Sequence, residues 1–219
     1  MTHLVDELKK KKLVAIIRGI AYKDGEATAR ALKDGGITFL EVTLNTDNAL
    51  QLIEDLNDHF DGELIVGAGT VLNVQMAKEA VAAGATYLVS PNLDEAVIEY
   101  GGACDVDVWP GTLTPTEIVR AFELGASAVK VFPIGAVGDD YIKNIRGPLP
   151  HIPMMVTGGV TLNNMNHYFS QGAVAAGLGS NLVNNTLIAK GEFSQMTAMA
   201  KKYTELVNGG LAHDSLTKR

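Results

Sequence analysis

Four stretches of this chain repeat one arrangement: a helical segment, a glycine, a small or β-branched residue, then an apolar run. They are ALKDGGITFLEV (31–42), AVAAGATYLVS (80–90), AFELGASAVKVF (121–132) and YFSQGAVAAGLGS (168–180). Gly36, Gly84, Gly125 and Gly172 stand where a helix ends in a left-handed conformation, which glycine reaches most cheaply. The runs after them read as parallel strands buried on both faces. The glycines lie 48, 41 and 47 positions apart, roughly twice one strand-and-helix unit. A second set of strands therefore falls between them, at 14–17, 64–68, 106–109 and 154–157. Eight strands alternating with helices predict a (β/α)8 TIM barrel over residues 1–207, with a helix before strand one and a polar tail at 208–219. An open doubly wound sheet is the alternative, but its early dinucleotide fingerprint is missing. Thr114-Pro115-Thr116-Glu117 is a helix start, with Thr114 as N-cap and Pro115 at the first position.

Composition narrows the function classes. Hydrophobic residues make up 47% and aromatics only 6%, so Ala, Val, Ile and Leu build most of the core. A net charge of −7 argues against nucleic-acid binding, which needs phosphate neutralisation. A small anion remains compatible, since backbone N–H groups and one or two cations hold it locally. No apolar run reaches the roughly 20 residues of a membrane span, and the first residues do not read as a signal peptide. Cys104 is the only cysteine, which fits a reducing cytoplasm. The five histidines are scattered, so no metal site is expected, and no serine-centred nucleophile elbow is present.

Barrel chemistry belongs at the C-terminal ends of the strands. Within AVKVF, strand alternation puts Ala128, Lys130 and Phe132 on the inner face and Val129 and Val131 toward the helices. A buried ammonium loses its hydration, so Lys130 either snorkels to the rim or is used. Its use is nucleophilic: burial favours the neutral amine, which attacks carbonyls to form a Schiff base. By the same alternation Glu41 points inward from FLEVT. It is either a proton carrier or the partner in a structural ion pair. TGGV, with Gly158 and Gly159, ends strand seven, and GLGS, with Gly177, Gly179 and Ser180, ends strand eight. Loops there, with a short helix N-terminus, commonly bind phosphate. Arg18, after strand one, and Thr70 with the backbone of GAGTV, after strand three, are candidates for gripping a carboxylate. The bland readings are a surface ion pair for Arg18 and a tight turn for GAGTV.

LEVTLNT, IVGAGTVLN, LVSPN, PGTLTPTEI, VKVFP, VTGGV and GLGS occur here in one order. Together they resemble the bacterial 2-keto-3-deoxy-6-phosphogluconate / 4-hydroxy-2-oxoglutarate aldolases over most of the chain. The resemblance implies a metal-free, cofactor-free class I aldolase, usually a homotrimer, that splits the phosphorylated sugar acid into pyruvate and glyceraldehyde 3-phosphate. It implies Lys130 as the Schiff-base lysine, Glu41 as general acid/base, and Thr70, Pro91 and Phe132 around the pyruvyl group. Gly158, Gly159 and Ser180 fall at the phosphate end. Many members carry an arginine where this chain has Asn45. Asn there, an arginine at the Arg18 position and GDDYIKNI resemble the branch acting on the galactonate epimer, so Arg18 stands in for the absent cation. The rival readings are cleavage of 4-hydroxy-2-oxoglutarate, a phosphate-binding barrel isomerase or synthase, and a non-catalytic sugar-phosphate sensor.

Overall fold

The computed structural model describes residues 4–214. Its strands are β1 (Leu13–Ile17), β2 (Phe39–Thr43), β3 (Ile65–Gly69), β4 (Tyr87–Val89), β5 (Asp107–Trp109), β6 (Gly111–Thr112), β7 (Val129–Val131), β8 (Met154–Thr157) and β9 (Ala175–Leu178). Helix α1 (Leu4–Lys11) precedes them, and α2 (Gly25–Asp34), α3 (Ala49–Phe60), α4 (Val74–Ala82), α5 (Glu95–Ala103), α6 (Pro115–Glu123), α7 (Tyr141–Arg146), α8 (Met165–Ser170), α9 (Asn185–Ala189) and α10 (Phe193–Asp214) alternate with or follow them.

The strands pair in parallel in the order β5-β4-β3-β2-β1-β9-β8-β7-β6. The two end members are consecutive in the chain, so the sheet is a nearly closed (β/α)8 barrel. The expected fifth strand is thus two pieces split at Pro110. Proline has no N–H for a ladder, and here its carbonyl accepts a bond of 2.9 Å from the Lys130 N–H. β5 serves β4 and β6 serves β7.

The four repeated glycines all have positive φ, between 88° and 101°. At each, the glycine N–H reaches back three residues and the next N–H five, as in Ile37 to Leu32 at 3.1 Å and Ala126 to Ala121 at 3.1 Å. These are Schellman closures, and the residue after each glycine is buried. Helix α5 ends in the same way with Asp105 (φ 58) in the glycine position, so the repeat is wider than the glycine pattern alone displays. Helix α6 begins with the expected capping box between Thr114 and Glu117. The N–H groups of Leu113 and Thr114 hold the Glu117 carboxyl below the usual carboxylate range.

Two apolar layers result. One lies between strands and helices and takes Leu40, Val42, Val129 and Val131. The other fills the barrel near the strand starts, where Phe39, Tyr87 and Trp109 meet Val5 and Leu8 of α1. Tyr87 and Trp109 stack at 4.3 Å between ring centroids, and Phe39 lies 5.8 Å from Tyr87. The Leu4 N–H donates to Asp107 at 2.7 Å, fixing α1 as the plug of that end. Helix α10 continues to Asp214, so residues 208–214 of the expected tail are helical; 215–219 lie outside the described residues. Among the described residues no helix is long and apolar enough to cross a membrane.

Candidate active site

Glu41 sits in β2 in register with Ile16 of β1 and Gly67 of β3. Lys130 sits in β7 in register with Gly111 and Met155. Both point into the barrel, above the aromatic layer. The Lys130 Nζ is 3.8 Å from the Glu41 Oε1, with the two side chains 3% and 0% exposed. Lys130 therefore does not snorkel to the rim. The geometry also fits a purely structural ion pair poorly. Neither Glu41 oxygen has a hydrogen-bond partner, and a buried carboxylate left so is costly unless the site uses it. The Lys130 Nζ also lies 5.1 Å from the Phe132 ring centroid.

Room for the Glu41 carboxylate comes from β3. A Cβ at Gly69 would overlap that carboxylate, and one at Gly67 would overlap the Tyr87 ring. GAG is therefore not the tight turn that its glycines suggest. It is strand, paired with Glu41 and Thr43 of β2, whose missing side chains leave space inside the barrel. Burial pushes the Tyr87 phenol well above its ordinary value, and the Glu41 charge adds to the shift. Its hydroxyl has no hydrogen-bond partner.

A cavity of about 570 Å³ opens above Lys130. It brings together Lys130, Phe132, Gly158, Gly159, Gly179 and Ser180 with Arg18. Thr157 joins them, its buried hydroxyl unpartnered. The alternation from Met155 along β8 aims Thr157 inward. Arg18 is exposed, and among the described residues it has no ion pair with a carboxylate. The surface ion pair expected as its bland role is thus absent. Its guanidinium instead donates to the Thr70 hydroxyl at 3.5 Å. Thr70 has φ 58, a left-handed conformation that costs a β-branched residue roughly 1–3 kcal/mol. Asn45 is exposed on the turn after β2 and does not line the cavity, and Pro91 packs its carbonyl end against Gly111 instead.

Gly158 and Gly159 have φ 84° and 100°. The Gly158 carbonyl accepts from the Gly135 N–H at 2.8 Å, so these glycines also let the loop after β7 approach closely. The short helix beyond β9 starts at Asn185 rather than at Ser180. Its first free N–H groups, of Thr186 and Leu187, are taken by the Asn184 side chain at 2.9 and 3.2 Å. An anion on this side therefore meets Ser180 and the loop backbones rather than an uncapped helix.

The family model described as KDPG and KHG aldolase matches residues 4–199. A 2-dehydro-3-deoxy-phosphogluconate aldolase of Treponema pallidum is 34% identical over 94% of this chain and 99% of its own length. A 2-dehydro-3-deoxy-6-phosphogalactonate aldolase of Escherichia coli K12 is 35% identical over 90% of this chain and 97% of its own. Among solved structures, a Legionella pneumophila KDPG aldolase with pyruvate captured as a covalent carbinolamine superposes with a TM-score of 0.86. It is 28% identical, over 91% of this chain and 97% of that one.

Proposed function

The chain belongs to the KDPG and KHG aldolase family and is thus an aldolase, a lyase; from that premise we propose that it is a class I enzyme cleaving 2-keto-3-deoxy-6-phospho-sugar acids through a Schiff base on Lys130. The observation that carries this reading is the dry pair of Lys130 and Glu41 at 3.8 Å, with the lysine lining the cavity.

In this mechanism the neutral Lys130 amine attacks C2 of the keto acid, and the carbonyl electron pair moves to oxygen. Glu41 gives that oxygen one proton, a second passes to it from the former amine nitrogen, water leaves, and an iminium forms. With Glu41 now a carboxylate, the C4 hydroxyl loses its proton to it. The C3–C4 bond breaks, and its electrons flow into the iminium to give an enamine and glyceraldehyde 3-phosphate. Protonation of the enamine carbon by Glu41 and hydrolysis release pyruvate. The iminium is the electron sink, so the chemistry calls for no metal or organic cofactor. Phe132 borders the pyruvyl group, and Arg18 with Thr70 takes the carboxylate. Gly158, Gly159, Gly179 and Ser180 take the phosphate. The Arg18 guanidinium at the cavity supports a cationic grip on the carboxylate from the β1 side, a grip that serves the gluconate and galactonate epimers alike. A cytoplasmic homotrimer completes the proposal.

Borohydride with pyruvate tests the central step. A covalent mass increase on Lys130 is expected, and its absence overturns the reading. Glu41→Gln should slow trapping as well as turnover, the latter by about 10²–10⁴-fold, with any added mass still on Lys130. Turnover of the gluconate and galactonate substrates and of 4-hydroxy-2-oxoglutarate, measured side by side, ranks them. The last lacks a phosphate and would leave the loops after β8 and β9 unused. A single monomeric species in sedimentation would remove the trimer.

A further inference from the structure

We infer that Asn185 is a positioning residue for Arg18, holding the turn after β1 so that the guanidinium stays over the cavity. The inference rests on the proposed role of Arg18 at the substrate carboxylate. Arg18 is exposed and lies at the end of a strand, on a turn whose next residue, Gly19, has φ 64. Such a turn needs its backbone tied, because nothing in the local sequence selects one direction for the arginine. Two ties are present. From the β2 side the Thr46 hydroxyl accepts from the Gly19 N–H at 2.9 Å. From the opposite side the Asn185 Nδ2 donates to the Arg18 carbonyl and to the Gly19 carbonyl, each at 3.1 Å.

The second tie spans 167 and 166 residues of sequence. It makes α9, which borders the cavity beside Ser180, the anchor of the turn that carries the carboxylate cation. Asn185 does not cap its own helix, since Asn184 does that. Its amide is thus committed to the two carbonyls. With that amide absent, the turn keeps one anchor and Arg18 loses its fixed direction toward Thr70. The loss falls on capture of the keto acid and not on the chemistry at Lys130.

The probe is pyruvate, scored by borohydride trapping as a function of its concentration, in Arg18→Ala, Asn185→Ala, Asn185→Asp and the Arg18→Ala/Asn185→Ala double variant. Asp is isosteric with Asn but has no N–H to donate, and at the first turn of a helix its charge is tolerated. A packing role would survive in it. Both Asn185 variants should raise the half-saturating pyruvate concentration by about three- to tenfold, with the trapping rate at saturation within about twofold of the parent. In the double variant the Asn185 change should add nothing to the larger effect of Arg18→Ala. Unchanged half-saturation in Asn185→Ala, a normal Asn185→Asp, or multiplying effects in the double variant would each overturn the inference while leaving Arg18 in the site. An unchanged Arg18→Ala would overturn the Arg18 reading itself and the inference with it.

Discussion

At Gly69 an absent side chain leaves the space that the carboxylate of Glu41 occupies. Gly67 does the same for the Tyr87 ring one pair below. Their value is volume inside the barrel, and φ is not what demands glycine there, since neither has positive φ. Gly69→Ala is therefore expected to displace the Glu41 carboxylate while leaving Lys130 in place. Pyruvate should still be trapped on Lys130 but more slowly, and aldol turnover should fall by about 10²-fold or more, as for loss of a general acid/base. Overpacking should also cost about 1–3 kcal/mol of stability. Turnover near the parent value, with trapping intact, would mean that Glu41 tolerates another position.

Helix ends set the register of the elements. Gly125 and Gly102 separate the two things a glycine contributes. A Cβ at either meets nothing within 4 Å. Gly125 closes α6 with φ 101, whereas Gly102 lies inside α5 with ordinary helical geometry. Gly125→Ala should destabilise by about 1–2 kcal/mol, the cost of a left-handed L-residue. Gly102→Ala should stabilise by about 0.5–1 kcal/mol through helix propensity. Urea midpoints of the two variants, measured together, check both signs. Asp105 fills at α5 the place that glycine fills in the four repeats, so the closure tolerates a short polar residue at some cost.

Over the whole molecule, packing keeps some phenols dry, among them Tyr87 inside the barrel and Tyr203 on α10. Tyr87 is held well above its ordinary pKa of 10.0 by burial first and by the Glu41 charge second, and burial raises Tyr203 too. Below pH 10 both folded and unfolded chains carry these protons, so their contribution is constant. Above it the unfolded chain ionises first, and stability falls as pH rises toward the folded values. The slope is about 1.4 kcal/mol per pH unit for each phenol kept neutral. Urea midpoints between pH 8 and 11.5 should decline above 10, and Tyr87→Phe should flatten part of that decline. The same variant removes a buried hydroxyl without a partner, so at pH 7 it should match or exceed the parent in stability. An unchanged alkaline slope in Tyr87→Phe would show that other groups set it.

What could be read from the chain alone followed local rules. Four glycines marked helix ends, alternation of period two aimed Lys130, Glu41 and Phe132 inward, and Thr114 with Glu117 marked a helix start. Each depends on backbone dihedrals and side-chain direction within a few residues, which sequence spacing encodes directly. The break of strand five at Pro110, the space at Gly67 and Gly69, the buried phenol under Glu41 and the reach of Asn185 to Arg18 were not legible. They depend on which strands become neighbours once the sheet curls into a cylinder, and on how much volume is left inside it. The 3.8 Å between amine and carboxylate is of the second kind: the pattern turned both side chains inward, but only closure of the barrel brought β2 and β7 to face each other across its mouth.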